Sequence, residues 1–159
     1  MMLEEFEYDR EHCYSLIRNC AIQMWRGEVN SQHISQMEDR WKRVIRRSGK
    51  LGIFVIVLPS APPPATARRD EIKRLYIELQ KNISAVGTVL EDQGMRGTAG
   101  SMAMTTIMLM SRIPYPYKNG ISIPEMAAWM AGQMQTVDER NLVSAVQEMR
   151  RRYFDVVER

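Results

Sequence analysis

The feature that most constrains this fold is the run LGIFVIVL at residues 51–58, in which apolar side chains follow one another without polar alternation. A strand with one face in water alternates apolar and polar residues, whereas a strand covered on both faces need not. The run therefore predicts a central strand, parallel to a neighbour, with helices on both sides of the sheet. SAVGTVLE at 84–91 indicates a second buried strand.

The first half of the chain has further signals for a hairpin and two helices. Two alternating runs within 13–29 flank Arg18-Asn19 and predict a β-hairpin. A helix follows, with Asn30 or Ser31 as N-cap, apolar residues at helical spacing and Gly49 as C-terminal cap. Because proline disfavours helical geometry in the residue before it, a second helix can begin only after Pro64, with Thr66 as its N-cap.

The second half predicts an edge strand and three helices. Residues 98–110 carry no charge and follow a glycine-spaced segment, so we expect a third helix buried on more than one face. YPYKNGIS indicates a short edge strand. Capping-box patterns at 122–125 and 136–139 start two more helices. The predicted fold is α/β, an open mixed sheet of about five strands in the order β-β-α-β-α-β-α-β-α with an extra C-terminal helix.

We divide the chain into three parts: an acidic N-terminal leader at 1–12, an α/β domain at 13–135 and a C-terminal amphipathic helix at 136–159. No run approaches the length of a transmembrane helix, and the acidic start is unlike a secretory signal. We therefore expect a cytoplasmic protein without stable membrane insertion.

The element order is similar to the STAS fold of bacterial anti-sigma-factor antagonists, and more closely to small bacterial STAS-like or Sec14-like proteins. The similarity is carried by five short segments: MWRGEV after the hairpin, the proline-rich loop after the third strand, the VLEDQGMRG turn, YPY and EMAAWM. It implies a STAS-like, non-enzymatic regulatory or scaffolding domain that acts through protein contacts. The Sec14-like side implies an alternative, a small-ligand or lipid binder with a pocket between the sheet and the Met-rich helix.

One feature of the antagonists is absent. Their phosphorylatable serine lies after the third strand in an Asp-Ser-Ser/Thr-Gly type motif, but this region here is SAPPPATA, with Ser60 and Thr66. Since the motif does not match, we transfer no phosphorylation site to this chain.

The segment GMRGTAG at 94–100 could be a phosphate cradle or a place where a helix lies close to the sheet. It has neither the lysine of a P-loop nor the closely spaced glycine pair of a dinucleotide turn. Gly97 and Gly100 share one helical face, so we favour packing. Arg96 is the candidate anion-binding residue, although Glu91 or Asp92 could instead pair with it.

No catalytic set emerges from the sequence, and we expect no enzyme activity, cofactor or metal. His12 and His33 have no ligand companion at helical spacing, and we interpret both as surface residues. Cys13 and Cys20 are interpreted as reduced thiols on or near the hairpin, without a neighbouring base.

The expected contact surface is apolar and serves a protein partner of unknown identity or a second copy of the chain. The stripe on the C-terminal helix needs a cover, either the sheet and third helix of the same chain or a second chain, and we favour a homodimer. Basic residues between Arg40 and Lys50 are interpreted as a solvated helix face, and they lack the interleaved aromatic residues of a nucleic-acid surface. The candidate partner-binding residues are Met104, Met108, Leu142, Val146, Met149 and Tyr153.

Overall fold

The computed structural model describes residues 3–91 and 113–158, which form one mixed sheet with helices on both faces. The predicted α/β class is confirmed, with six strands instead of about five. The predicted third helix at 98–110 lies outside the described residues. The elements are β1 (Glu5–Tyr8), β2 (His12–Ile17), β3 (Cys20–Trp25), α1 (Ser31–Ser48), β4 (Leu51–Val57), α2 (Thr66–Leu79), β5 (Ile83–Leu90), β6 (Tyr117–Gly120), α3 (Ile123–Met134) and α4 (Glu139–Val157).

The strands lie in sequence order across the sheet, from β1 at one edge to β6 at the other. The first three are antiparallel, and β3 to β6 are parallel to one another. The hairpin turn is Arg18-Asn19 as predicted, with Arg18 at a φ of 53°. LGIFVIVL forms β4, which lies between β3 and β5 and is covered on both faces, so its predicted central position is confirmed.

The additional strand is β1, which lies within the segment that the sequence analysis treated as a leader. Its glutamates explain why an acidic segment folds here. Glu5 pairs with Arg43 at 3.0 Å, and Glu7 pairs with Arg40 at 2.5 Å, both from α1. The acidic N-terminal residues and the basic helix are therefore partners for each other, and α1 does not present all its charges to solvent.

The two faces of the sheet carry separate apolar layers. Helices α1 and α2 cover one face, over side chains such as Trp41 and Ile53. Helices α3 and α4 cover the other face, over side chains such as Phe54 and Met24. Asn30 and Ser122 cap α1 and α3 as predicted.

Two predicted helix starts are wrong. The N-cap of α2 is Ala65 without a side-chain bond, and Thr66 is already helical, where its hydroxyl receives a hydrogen bond from Arg69. The N-cap of α4 is Asp138, whose carboxylate accepts from the backbone N–H of Asn141. Thr136 instead donates its hydroxyl hydrogen to the side chain of Asn19 at 2.6 Å, which ties the start of α4 to the hairpin turn.

Helix α4 covers its stripe within the chain. Leu142, Val146, Met149 and Tyr153 are at most 1% exposed and belong to the layer against β2 and α3. The sequence left open whether the stripe is covered by the same chain or by a second chain. The structure shows that the sheet and α3 of the same chain cover it. None of the described helices is both long and apolar enough to cross a bilayer.

Candidate functional site

A partly buried polar cluster joins the turn between β1 and β2 to the first turn of α1. It consists of Asp9, His12 and His33, and the two histidines are only 1% and 3% exposed. Oδ1 of Asp9 lies 3.0 Å from Nδ1 of His12, and Oδ2 lies 2.8 Å from Nε2 of His33. The interpretation of both histidines as surface residues is therefore wrong, because Asp9 holds both rings in the interior.

The second nitrogen of each ring accepts a hydrogen bond, which determines the tautomer. Nδ1 of His33 accepts from the backbone N–H of Asn30 at 3.1 Å, which completes the capping box of α1. Nε2 of His12 accepts from Nη1 of Arg40 at 3.1 Å. Neither donor gives up its proton at ordinary pH. Each ring therefore carries its own proton on the nitrogen that faces Asp9, and both rings are neutral donors to the carboxylate.

The same three residues have the side-chain types of a metal centre, and their ligand atoms lie within 4.8 Å of one another. A ligating histidine donates its other N–H to a carboxylate, a carbonyl oxygen or water. Here the other nitrogens face Arg40 and the Asn30 backbone, which are both donors. A metal would force an N–H against a donor at both rings, so this cluster fits a hydrogen-bonded structural role better than a metal centre.

The pKa values of His12 and Asp9 agree with a neutral His12 ring and an ionised carboxylate. Burial lowers the pKa of His12 to about 4, against the opposing effect of Asp9. Partial burial acts to raise the pKa of Asp9, but the charge and hydrogen bond of His12 and the bonds from the Glu11 backbone and His33 outweigh it and lower the pKa to about 2. The cluster thus holds one negative charge between two neutral donors at neutral pH.

Arg40 closes the cluster on the side of the sheet. Its side chain is only 7% exposed and bridges Nε2 of His12 and the carboxylate of Glu7, while its guanidinium lies 4.6 Å from the ring centre of Tyr14. The sequence placed Arg40 on a solvated helix face. That interpretation is wrong because α1 turns this residue toward β1 and β2, where a carboxylate and an aromatic ring receive the guanidinium.

A pocket opens beside this cluster, between the sheet and helices α1 and α2, at the carboxyl ends of the parallel strands. Its cavity volume is about 60 Å³, and the proline-rich loop after β4 forms its mouth. Ligands of parallel α/β sheets bind beyond this end of the strands. We call it the Gln23 pocket; the described residues that line it are Gln23, Trp25, Gly27, Val29, Met37, Val55, Val57, Ala61, Pro62, Pro63, Pro64, Ile72, Tyr76 and Leu90.

Gln23 places a side-chain amide in this wall. It is fully buried on β3, and within residues 3–91 and 113–158 neither its amide nitrogen nor its amide oxygen has a hydrogen-bond partner. A buried polar group without a partner costs about 1 to 3 kcal/mol. A ligand that formed hydrogen bonds with this amide would remove that cost. Gln23 is therefore a candidate for contact with a ligand.

Gln23 also belongs to a row of paired residues that crosses the sheet. The row is Glu7, Tyr14, Gln23, Val55 and Thr88, which are successive partners from β1 to β5. Paired residues point to the same face of a sheet, so the row faces α1 and α2. The hydroxyls of Tyr14 and Thr88 also have no partner among the described residues. Polar side chains therefore continue along this face of the sheet beyond the pocket. Neither Tyr14 nor Thr88 lines the pocket itself.

Trp25 separates the pocket from the polar cluster. Its indole lines the pocket and stacks on His12, with ring centres 4.7 Å apart and an angle of 18° between planes. His33 meets the same indole edge-on at 5.2 Å. The cluster therefore sets the position of one wall of the Gln23 pocket.

Comparison with known proteins identifies the architecture. No family model matches the sequence, and no curated protein matches it. A crystal structure of an uncharacterised DUF3478-family protein from Shewanella loihica, described as having a SpoIIAA-like fold, is similar over 81% of this chain and 92% of that one, with a TM-score of 0.52 and 10% identity. This chain has a SpoIIAA-like fold. The similarity to STAS-like, antagonist-type domains predicted from element order is thereby confirmed at the level of the fold.

In this SpoIIAA-like domain the segment from Ser60 to Thr66 forms the mouth of the pocket. The Ser60 hydroxyl donates to the backbone carbonyl of Arg26 at 2.6 Å, and Thr66 begins α2. The loop between them contributes Ala61 and three prolines to the pocket wall. This segment, whose sequence does not match the antagonists' motif, thus covers a mainly apolar pocket.

The residues singled out by sequence are not brought together as one site. Leu142, Val146, Met149 and Tyr153 lie in the core on the opposite face of the sheet from the pocket. Arg96, Met104 and Met108 lie outside the described residues, so the anion-binding role and the contact role of the methionines stay predictions.

Sequence reasoning missed the residues that form the cluster and the pocket. Two signals could have pointed to them. Gln23 interrupts the apolar run of β3, CAIQMW, and a polar residue inside a buried strand calls for an explanation. Asn30 and His33 have the spacing of a capping box with histidine at the third position, which turns that ring back toward the helix start.

Proposed function

We propose that this protein is a non-enzymatic, small-ligand-binding regulatory domain and that the Gln23 pocket is its binding site. The observation that carries the proposal is the buried amide of Gln23, which lines the pocket and has no partner among the described residues. The ligand-binding alternative of the sequence analysis thus becomes the leading function, at a pocket under α1, α2 and the proline-rich loop.

The reactive side chains of the described segments favour binding over covalent chemistry. Burial raises the pKa of Cys13 and Cys20 to about 12, so both remain protonated thiols and poor nucleophiles at neutral pH. Both nitrogens of His12 and of His33 take part in hydrogen bonds within the cluster, so neither ring offers a lone pair to a substrate.

The pocket is small enough to be selective. By the same measure of cavity volume, one water molecule needs about 10 to 15 Å³, so about 60 Å³ accommodates a ligand group of a few non-hydrogen atoms. The mouth at the proline-rich loop is where a larger ligand would extend. Proline restricts the backbone of this loop, which limits the conformational entropy that ligand binding has to remove.

A role through protein contacts is the second candidate, and its support is the SpoIIAA-like fold itself. Four of the contact residues expected from the sequence are buried in the chain, so a partner would have to use another surface. In a ligand-binding regulatory domain the two roles are compatible, because a partner can distinguish the liganded from the unliganded state.

Native mass spectrometry of freshly purified protein tests the proposal. We expect wild-type protein to retain a small molecule, and Ala61→Leu to lose it, because Ala61 lines the pocket at 3% exposure. Ala67→Leu is the matched control, since Ala67 lies exposed on α2 and outside the pocket. A wild-type protein that carries no small molecule and binds none from a fragment library would contradict the proposal.

A further inference from the structure

We infer that the ligand of the Gln23 pocket is an uncharged, mainly apolar molecule that presents a hydrogen-bond donor and an acceptor side by side, as a primary carboxamide or a lactam does. This inference rests on the proposed function, since it names the chemical class that the pocket takes.

Among the described residues that line the pocket, the buried side-chain polar atoms without a partner belong to one planar group. The side-chain amide of Gln23 offers donors on its nitrogen and an acceptor on its oxygen, and among the described residues both atoms are unpartnered. A ligand with a single acceptor would satisfy the nitrogen and leave the oxygen unpaired. A ligand with an adjacent N–H and C=O satisfies both atoms through two parallel hydrogen bonds.

Among the described residues, the wall offers no charge to receive an ionised ligand. None of the described residues that line the pocket is charged. The buried guanidinium of Arg40 on α1, which contacts Glu7 and Tyr14 of the row, is already paired with Glu7 and bonded to His12. Moving an ion out of water into a wall without a counter-charge is strongly unfavourable, so carboxylates and ammonium ions are disfavoured.

The remaining wall selects an apolar body. Aliphatic side chains from β4, α1 and α2 surround the cavity, and Trp25 and Tyr76 contribute aromatic surface. Trp25 is supported from behind by the stacked ring of His12. The cavity of about 60 Å³ receives the amide group, and a flat ring or a short aliphatic chain attached to it extends along the apolar wall toward the mouth at the proline-rich loop.

A series of three probes of similar shape separates these requirements. Benzamide has the adjacent donor and acceptor, acetophenone has the acceptor with a methyl group in place of the donor, and benzoate is the charged analogue. Measured by isothermal titration calorimetry on the full chain, benzamide should bind about tenfold or more tightly than acetophenone, and benzoate should bind more weakly than both.

Two isosteric variants identify the recognising group. Gln23→Met replaces the amide by an apolar chain of similar length, and it should abolish the preference for benzamide over acetophenone. Thr88→Val is the matched control, because it removes an unpartnered hydroxyl from the same row without changing the pocket wall, and it should keep the preference. Both variants remove an unpaired buried polar group, so both should fold.

The outcomes distinguish the inference from the proposed function. Equal binding of benzamide and acetophenone by the wild type, tight binding of benzoate, or a preference that survives Gln23→Met would overturn the inference while the pocket remained a binding site. Absence of binding by all three probes, together with absence of a retained molecule in native mass spectrometry, would overturn the proposed function as well.

Discussion

Arg40 on α1 and His12 on β2 are joined by a buried hydrogen bond of 3.1 Å, from a guanidinium nitrogen to Nε2 of the ring. The same guanidinium pairs with Glu7 on β1. One side chain thereby connects the first helix to the two strands at this edge of the sheet. The bond also holds His12 in the tautomer that donates to Asp9.

Arg40→Ala should therefore destabilise the protein by about 2 to 4 kcal/mol, because it leaves Glu7 and His12 unpaired and removes the cation above Tyr14. Chemical denaturation measures the free energy of unfolding. Arg43→Ala is the control from the same helix: its pair with Glu5 is half exposed, so its loss should cost at most about 1 kcal/mol. Equal losses in the two variants would show that the buried network contributes no more than a surface ion pair.

Acid should destabilise the protein in the range set by His12. The pKa of this ring is 6.5 in the unfolded chain and about 4 in the folded one, because burial disfavours the charged form. Between these values the unfolded chain binds the additional proton, so the free energy of unfolding falls as pH falls from 6.5 to 4, by roughly 3 kcal/mol in total. Asp9, with its lowered pKa, contributes stability that is lost only at lower pH, from 3.8 toward about 2.

Urea denaturation of the wild type and His12→Gln at several pH values within and above this interval measures the effect. The chain has only two histidines, so the variant should show a clearly shallower dependence of stability on pH. A wild-type protein whose stability stays constant from pH 6.5 to 4 would contradict a neutral buried His12.

Two glycines near α3 should respond in opposite directions to added side chains. A Cβ at Gly52 on β4 would overlap Sδ of Met134, so Gly52→Val should cost about 1 to 3 kcal/mol. Gly132 lies within α3, and outside its own helix backbone and its two chain neighbours no atom of the described residues lies within 4 Å of its Cβ position, so Gly132→Ala should stabilise the protein by about 0.5 to 1 kcal/mol. Thermal denaturation of both variants tests this difference, and a stabilised Gly52→Val would show that the flexible side chain of Met134 moves aside without cost.

The stripe of α4 should behave as core. Leu142→Ala removes a fully buried side chain and should cost about 2 to 5 kcal/mol, whereas Gln147→Ala, at an exposed position of the same helix, should change stability little. Denaturant unfolding compares the two. If Leu142→Ala kept wild-type stability and instead weakened self-association in light scattering, the stripe would be a contact surface between chains, as the sequence analysis favoured.

Most strands and helices of the described core could be predicted because the local order of apolar and polar residues indicates which faces are buried. LGIFVIVL has no polar residue, so both of its faces had to be covered, and the structure places it between two parallel neighbours. Strand β1 was missed for the opposite reason. Its sequence EFEY alternates, but its glutamates suggested a solvated leader, because their partners Arg40 and Arg43 lie more than thirty residues away.

The cluster and the pocket could not be predicted for a related reason. Asp9, His12 and His33 meet only because the hairpin and the start of α1 lie side by side, and no local spacing indicates that arrangement. Gln23 is conspicuous within its strand, but whether its amide finds a partner depends on the helices above it. Local patterns report which face is buried, whereas hydrogen-bond partners depend on tertiary packing.

The position of Trp25 links ligand binding to proton binding. Its indole has the pocket on one side and the ring of His12 on the other. If a ligand changes the contact between indole and imidazole, it changes the proton affinity of His12, and the linkage is reciprocal: protonation of His12 must then change the affinity for the ligand by the same factor. Calorimetric titration in buffers of different ionisation enthalpy would reveal this coupling as protons taken up or released for each ligand bound.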